Sequence, residues 1–159
     1  MNLCYPTMRT TLFYLCMLAV SCAAVPAFAQ SNNECATPLQ LTDPENFCSP
    51  PDAANNLFAT ASNVPLPPCF NNAQHDLWFW FIAEAPTAVV VVNGSGVSGG
   101  GSLTSPEVAM YEGACDALNL LGCEIDANFI GVTELRVEDL TPGEKYFIRV
   151  DGEDPGTFQ

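Results

Sequence analysis

Apolar and polar positions alternate with a period of two over several short stretches of this chain, and no stretch of useful length keeps a helical period. The clearest case is residues 145–151, where Tyr146, Ile148 and Val150 point one way and Lys145, Phe147 and Arg149 the other. Thr141-Pro142-Gly143, just before it, has the residues of a tight turn. The strongest strand is predicted over 75–83, where Trp78-Phe79-Trp80-Phe81-Ile82 is apolar on both faces. Such a strand is central and covered on both sides, or it carries one exposed aromatic. Further strands are predicted at 88–92, 107–111, 118–123 and 131–137, with a short apolar touch at Leu39-Gln40-Leu41 and an edge strand within 53–62. Prolines interrupt 49–52 and 64–68, and 93–102 is a glycine-rich connector. Turn-separated strands at this spacing predict an all-β domain, a β-sandwich of roughly seven to nine short antiparallel strands rather than an α/β fold.

The first 29 residues read as a signal peptide and not as part of the fold. Arg9 precedes an apolar run over 12–24, and Ala27-Phe28-Ala29 supplies a small-x-small cleavage pattern. That run is shorter than the ~20 residues of a membrane span, so an integral membrane protein is not expected. Residues 30–159 then form one domain, long enough to bury its own core. The chain stops on Gly156-Thr157-Phe158-Gln159, which reads as the first half of a strand, so this domain is expected to be cut at its last strand.

Export sharpens the charge. Losing Arg9 leaves three of the four basic residues against all 18 acidic ones, a net charge of −15. That balance excludes phosphate-backbone recognition, which needs a basic patch, so no nucleic-acid partner is expected. It fits a secreted or cell-surface protein whose acidity keeps it in solution, and leaves Ca²⁺ open as a counter-ion.

Five cysteines follow the signal: Cys35, Cys48, Cys69, Cys115 and Cys123. In an exported chain the default reading is disulfides. Cys115 and Cys123 flank seven residues and are expected to close a loop between adjacent strands, and Cys48 and Cys69 bracket a Pro- and Asn-rich segment as a second pair. Cys35 is then left over, with its partner expected beyond Gln159. One histidine and no Cys-x-x-Cys make a zinc cage a poor reading.

A resemblance runs through these elements. Asn33-Glu34-Cys35 with Leu39 and Leu41, Asp76-Leu77-Trp78-Phe79-Trp80-Phe81, Val108-Ala109-Met110-Tyr111 with Gly113 and Cys115, Leu140-Thr141-Pro142-Gly143, Tyr146-Phe147-Ile148-Arg149-Val150 and Gly156-Thr157-Phe158 are the residues that carry it. Together they resemble the bacterial pre-peptidase C-terminal domain and its relatives in secreted proteins of Bacteroidetes-type organisms. The resemblance implies a jelly-roll-like sandwich akin to carbohydrate-binding modules. It also implies a non-catalytic accessory unit of a larger protein, often one carrying a type IX secretion sorting domain. Trp80 stands where that pattern commonly has a polar residue.

Three constellations compete for a functional role. Trp78 and Trp80 share a face, and Trp80, with Tyr111, could stack on sugar rings; the alternative is that both tryptophans are core. Glu124, Asp126, Asp151 and Asp154 lie where strands meet loops and could hold Ca²⁺, although no EF-hand loop is present and solvated loop charges are the plainer reading. His75-Asp76 would have to serve any Ser-His-Asp hydrolase, yet no Gly-x-Ser-x-Gly elbow accompanies them, so Asp76 reads instead as a turn-ordering residue. The leading expectation is a non-catalytic extracellular module acting as spacer, folding aid or adhesion unit, its partners being other domains of the same parent protein. A carbohydrate-binding module with an extracellular glycan as partner comes second, and a secreted hydrolase last.

Overall fold

Alternation in the sequence becomes alternation between two buried faces. The computed structural model describes residues 30–45, 47–50 and 54–159. The signal-peptide reading of 1–29 and part of the proline-rich turn at 49–52 lie outside the described residues. Among them there are nine strands and no helix: β1 Leu39–Gln40, β2 Ala54–Asn55, β3 Leu77–Ile82, β4 Ala88–Asn93, β5 Glu107–Ala114, β6 Ala117–Ile125, β7 Val132–Val137, β8 Lys145–Asp151 and β9 Thr157–Phe158. The fold is all-β. Among the described residues of the edge strand expected within 53–62, only the two of β2 form a strand.

The main sheet has five strands in the order β1-β3-β8-β5-β6. The aromatic strand β3 is flanked on both sides, as its two apolar faces require. It is antiparallel to β8, with Phe79 opposite Ile148 and Trp80 opposite Phe147. β1 departs from the expected antiparallel pattern and runs parallel to β3, because the 30–41 segment travels beside β3 in the same direction. Trp78 N donates to Asn32 O at 2.8 Å and Leu41 N to Trp80 O at 2.8 Å along that edge. The Thr-Pro-Gly segment before β8 forms a turn in which Glu144 N donates to Thr141 O at 3.1 Å. Gly143 sits there at φ 91°, the left-handed value that a type II turn places at its third residue.

A second layer covers one face of this sheet. β2 pairs with β9 and β4 with β7, both antiparallel. Gln159, just past β9, exchanges two backbone hydrogen bonds with Asn93 of β4 at 2.8 and 3.0 Å, which sets β9 beside β4. Phe79, Phe81, Met110, Ile148 and Val150 from the main sheet pack against Val92, Leu135, Val137 and Phe158 from this layer. The two layers make a sandwich.

The other face of the main sheet is covered by loops. Trp78, Ala109, Tyr111 and Phe147 pack there with Cys35, Phe70 and Ala73 from the 30–38 and 60–76 segments. Two disulfides fasten those segments to the sheet, Cys35 to Cys115 and Cys69 to Cys123. This corrects all three expected pairings. The residues between Cys115 and Cys123 are themselves the strand β6, which carries Cys123 roughly 20 Å from the β5–β6 turn where Cys115 lies, at about 3.3 Å per residue. A disulfide needs the two Cα atoms within about 7 Å. Cys35 therefore finds its partner inside the chain, Cys69 is held by β6 rather than by Cys48, and Cys48 is free and exposed.

Each bridge spans a long stretch, 80 residues for Cys35–Cys115 and 54 for Cys69–Cys123. Constraint of the unfolded chain gives each about 4 kcal/mol in the entropic account. The paired substitution Cys69→Ser with Cys123→Ser should accordingly lower the urea-unfolding free energy by about that amount, whereas Cys48→Ser should leave it unchanged.

Candidate functional site

The polar chemistry of the described residues gathers at one end of the loop-covered face. Alternation along β3, β8 and β5 puts Asp76, Arg149, Asp151 and Glu107 on the same side as Trp78 and Ala109. Glu107 and Asp151 are register partners, and Asp76 lies one residue beyond the Leu77–Val150 pair. Three carboxylates thus sit in a row across the end of the sheet, all of them buried.

Each carboxylate is met by different groups. Asp76 accepts from Arg149 Nε at 2.9 Å, Trp78 Nε1 at 2.9 Å, Ser62 Oγ at 2.6 Å and Ser62 N at 2.8 Å. Arg149 also donates from Nη1 to Pro65 O at 2.9 Å, and its guanidinium lies 5.3 Å from the Trp78 ring centroid and 5.8 Å from that of Phe70. The ion pair is dry, with side-chain exposures of 1% and 0%. Asp151 accepts from Gly152 N at 2.8 Å, His75 N at 3.2 Å and Asn56 Nδ2 at 3.3 Å. Burial nevertheless pushes its pKa up, and the neighbouring Asp76 charge adds to that rise. Glu107 accepts one hydrogen bond, from Asn71 N at 3.0 Å, and its Oε2 has no partner among the described residues. Burial pushes the Glu107 pKa up as well, helped by the charges of Asp151 and Glu153.

The aromatic residues expected to meet a sugar are placed differently from one another. Tyr111 is buried against Trp78 with ring centroids 5.6 Å apart, so it offers no face to a ligand. That corrects its reading as an exposed platform: Tyr111 shares its strand parity with Ala109 and pairs with Phe147 of β8, so plain alternation along β5 turns its side chain into the loop-covered core. Burial raises its phenol pKa, against the pull of the Arg149 guanidinium. Trp78 is fully buried. Trp80 is half-buried, with Lys145 Nζ 4.6 Å from its ring centroid and the same ammonium 4.4 Å from Phe147.

The carboxylates considered for Ca²⁺ are not brought together. Glu124 is exposed on β6. Asp126 closes the loop before β7 by accepting from Ile130 N at 3.1 Å and Gly131 N at 2.7 Å. Asp154 accepts from Thr104 Oγ1 at 3.3 Å, and Asp151 belongs to the buried row. Among the described residues no group of three or more His, Cys, Asp or Glu is arranged to hold a metal ion. His75 lies beside the row through its backbone, and its Nδ1 is buried with no partner among the described residues.

On the opposite face the sandwich is open. A cavity of about 800 Å³ lies between the two layers, with Phe79, Phe81, Ile148 and Val150 among its lining residues on one side and Val90 and Val92 of β4 on the other. Glu45 and Glu84 also line it. Sequence reasoning missed this cavity and Glu107 alike. Glu107 opens the predicted strand 107–111 and shares its parity with Ala109, a signal that becomes readable only once the β5–β8 register is known.

Comparisons with protein-family models, with curated proteins and with solved structures return no match. The two disulfides fit folding outside the reducing cytoplasm. Among the described residues no helix is long and apolar enough to cross a membrane.

A pH dependence follows from the buried row. A carboxyl whose folded pKa lies above its unfolded value adds stability that is complete below the unfolded pKa and lost as pH rises through the folded one. Glu107 and Asp151 are both raised, from ordinary values of 4.5 and 3.8. Thermal unfolding should therefore show stability rising as the pH is lowered from neutrality toward those ordinary values. Glu107→Gln keeps an acceptor for Asn71 N and removes the charge, so it should raise Tm near neutrality and flatten the profile.

Proposed function

We propose that this chain is a non-catalytic extracellular β-sandwich module of a larger exported protein, acting as a spacer, folding aid or adhesion unit. The observation that carries this reading is the Asp76 carboxylate, the most heavily engaged polar group on the loop-covered face. Its four donors come from the 60–76 loop, from β3 and from β8. A general base or nucleophile needs a free lone pair within reach of substrate. Asp76 faces a guanidinium, an indole and a serine in a dry interior, the setting of a group that fixes a loop to a sheet. The residues resembling the pre-peptidase C-terminal domain support the same conclusion. Asp76-Leu77-Trp78-Phe79-Trp80-Phe81 and Tyr146-Phe147-Ile148-Arg149-Val150 form the paired central strands β3 and β8, which is where an architectural motif belongs. A signal peptide over 1–29 and delivery to the cell surface, in the manner of type IX secretion cargo, complete the proposal.

Burial of Tyr111 and the Lys145 cover on Trp80 count against the carbohydrate-binding reading. Passage of the purified chain over immobilised cellulose, chitin, xylan and peptidoglycan tests the choice. No retention on any of these matrices is expected. Retention that disappears in Trp80→Ala would replace the accessory-module reading with glycan binding.

A further inference from the structure

The end of the main sheet that carries Glu107 and Asp151 is rich in oxygen acceptors and poor in donors. The two residues stand directly opposite each other on β5 and β8, a pairing that sets their Cβ atoms about 5 Å apart on one face. Glu107 is 1% exposed and Asp151 0%. The 71–75 segment crosses over the pair and touches it at both ends. Asn71 N donates to Glu107 Oε1 at 3.0 Å, and His75 N to Asp151 Oδ2 at 3.2 Å. In the chain between those contacts, the Asn72 side-chain oxygen is buried and has no partner among the described residues. Glu107 Oε2 has none either. The Asn71 side-chain amide stands close enough to offset part of the rise in the Glu107 pKa, but makes no hydrogen bond to Oε2.

Charge at this place is as one-sided as the hydrogen bonding. Asp76 adds its negative field to Asp151, and Glu153 adds its own to Glu107. The buried cation here, Arg149, is committed to Asp76 at 2.9 Å. Buried carboxylates without a counter-charge are neutralised by a proton or by a bound cation. A proton on Glu107 would answer one of the two. A divalent cation shared between them answers both, and it also takes the two side-chain oxygens that lack donors. Carboxylate and amide oxygens with no thiolate select a hard ion. Ca²⁺ accepts irregular shells of roughly six to eight oxygens, whereas Mg²⁺ demands a near-ideal octahedron and keeps several of its waters. The irregular set at this place suits Ca²⁺.

We propose that Glu107 and Asp151 together bind one Ca²⁺ ion beneath the 71–75 segment, with the Asn72 side-chain oxygen as third ligand and water completing the shell. Glu107 offers its unpartnered Oε2. Asp151 keeps its bonds to Gly152 N and His75 N and gives a remaining lone pair to the ion. The site shares only Asp151 with the carboxylates singled out from the sequence. Its place in the chain gives the ion a task. The 71–75 segment runs between the Cys69 bridge and the Asp76–Arg149 pair, so Ca²⁺ there fastens the loop cover to β5 and β8 at a third point. The inference goes beyond the accessory-module reading and does not depend on it, because a structural ion serves a module of any function.

The test is thermal unfolding of the purified chain near neutral pH, first in EDTA and then with CaCl₂ added up to about 10 mM. MgCl₂ at the same concentrations controls for general screening of the acidic surface. The expected result is a saturable rise in Tm of about 4 °C or more, half-complete below about 1 mM Ca²⁺. Exchange of the Asn71 and His75 amides should slow at the same Ca²⁺ concentrations. Mg²⁺ should give a smaller rise that does not saturate. Glu107→Gln should fold and melt above the parent in EDTA, because a buried charge is gone, and should lose the Ca²⁺ response. Asn72→Ala should move the midpoint to about tenfold higher Ca²⁺, and Asp154→Asn should leave it in place. Absence of a saturable Ca²⁺ response would overturn the proposal. So would a response that survives in Glu107→Gln, which would put the ion elsewhere on the chain, or an equal response to Mg²⁺, which would mean charge screening alone.

Discussion

The ion pair between Asp76 and Arg149 is the constraint from which the loop-covered half of this molecule follows. Both groups are buried under a face of sheet that no second sheet covers. An unpaired charge in that position costs several kcal/mol, so each requires the other. Arg149 sits mid-strand on β8 and Asp76 at the mouth of β3, which fixes the register of the two central strands from the polar side while Phe79 and Ile148 fix it from the apolar side. The remaining lone pairs of Asp76 take Ser62 and Trp78, and one further donor of Arg149, Nη1, takes Pro65 O. The 60–76 loop is therefore ordered from beneath by charge, at its middle by the Cys69 bridge and at its end by β3. It has no strand pairing of its own.

Placed beside that pair, Glu107 and Asp151 are the unfavourable part of the same arrangement. Two like charges directly opposite across β5 and β8 repel, and burial strengthens the effect. Asp151 recovers most of its hydrogen bonds from backbone groups and Asn56, whereas Glu107 recovers one. The row costs stability near neutral pH in a chain that is already strongly acidic. Its position supports a structural more than a chemical role, because the groups nearest to it are loop backbone amides and asparagine side chains. The cavity between the two layers lies on the other side of the main sheet. The main sheet thus has one face closed by loops and the other packed against the second layer.

Much of the fold was legible in the sequence. The run Trp78 to Ile82, the valines at 89–92 and the alternation at 145–151 each predicted a strand within about two residues of its observed limits, because β-branched and aromatic residues in a period of two leave few alternatives. The two-residue strands β1, β2 and β9 were only partly visible, since their pairing comes from neighbours in space. The expected Cys115–Cys123 bridge conflicts with the strand predicted at 118–123, since β6 spans Ala117–Ile125 and holds the two cysteines apart, while the bridges that form join positions 80 and 54 residues apart, a pairing that depends on the fold. Asp76 was recognised as a local hydrogen-bonding residue, but its partner Arg149 lies 73 positions away and is found only through the β3–β8 register. Tyr111 follows the parity of Ala109, but nothing in the pattern of β5 itself shows that this face is covered by the loops that Cys35 and Cys69 fasten down.

The central claim is that one buried ion pair holds the 60–76 loop and the two central strands in place, and a double-mutant cycle tests it most directly. Urea unfolding of Asp76→Ala, Arg149→Met and the double variant should show each single change lowering stability by about 3–5 kcal/mol, because each leaves a buried charge without its partner. The double variant should be no less stable than the worse of the two singles. Single losses under about 1 kcal/mol, the size expected of a solvent-screened surface pair, or losses that simply add in the double variant, would contradict the account.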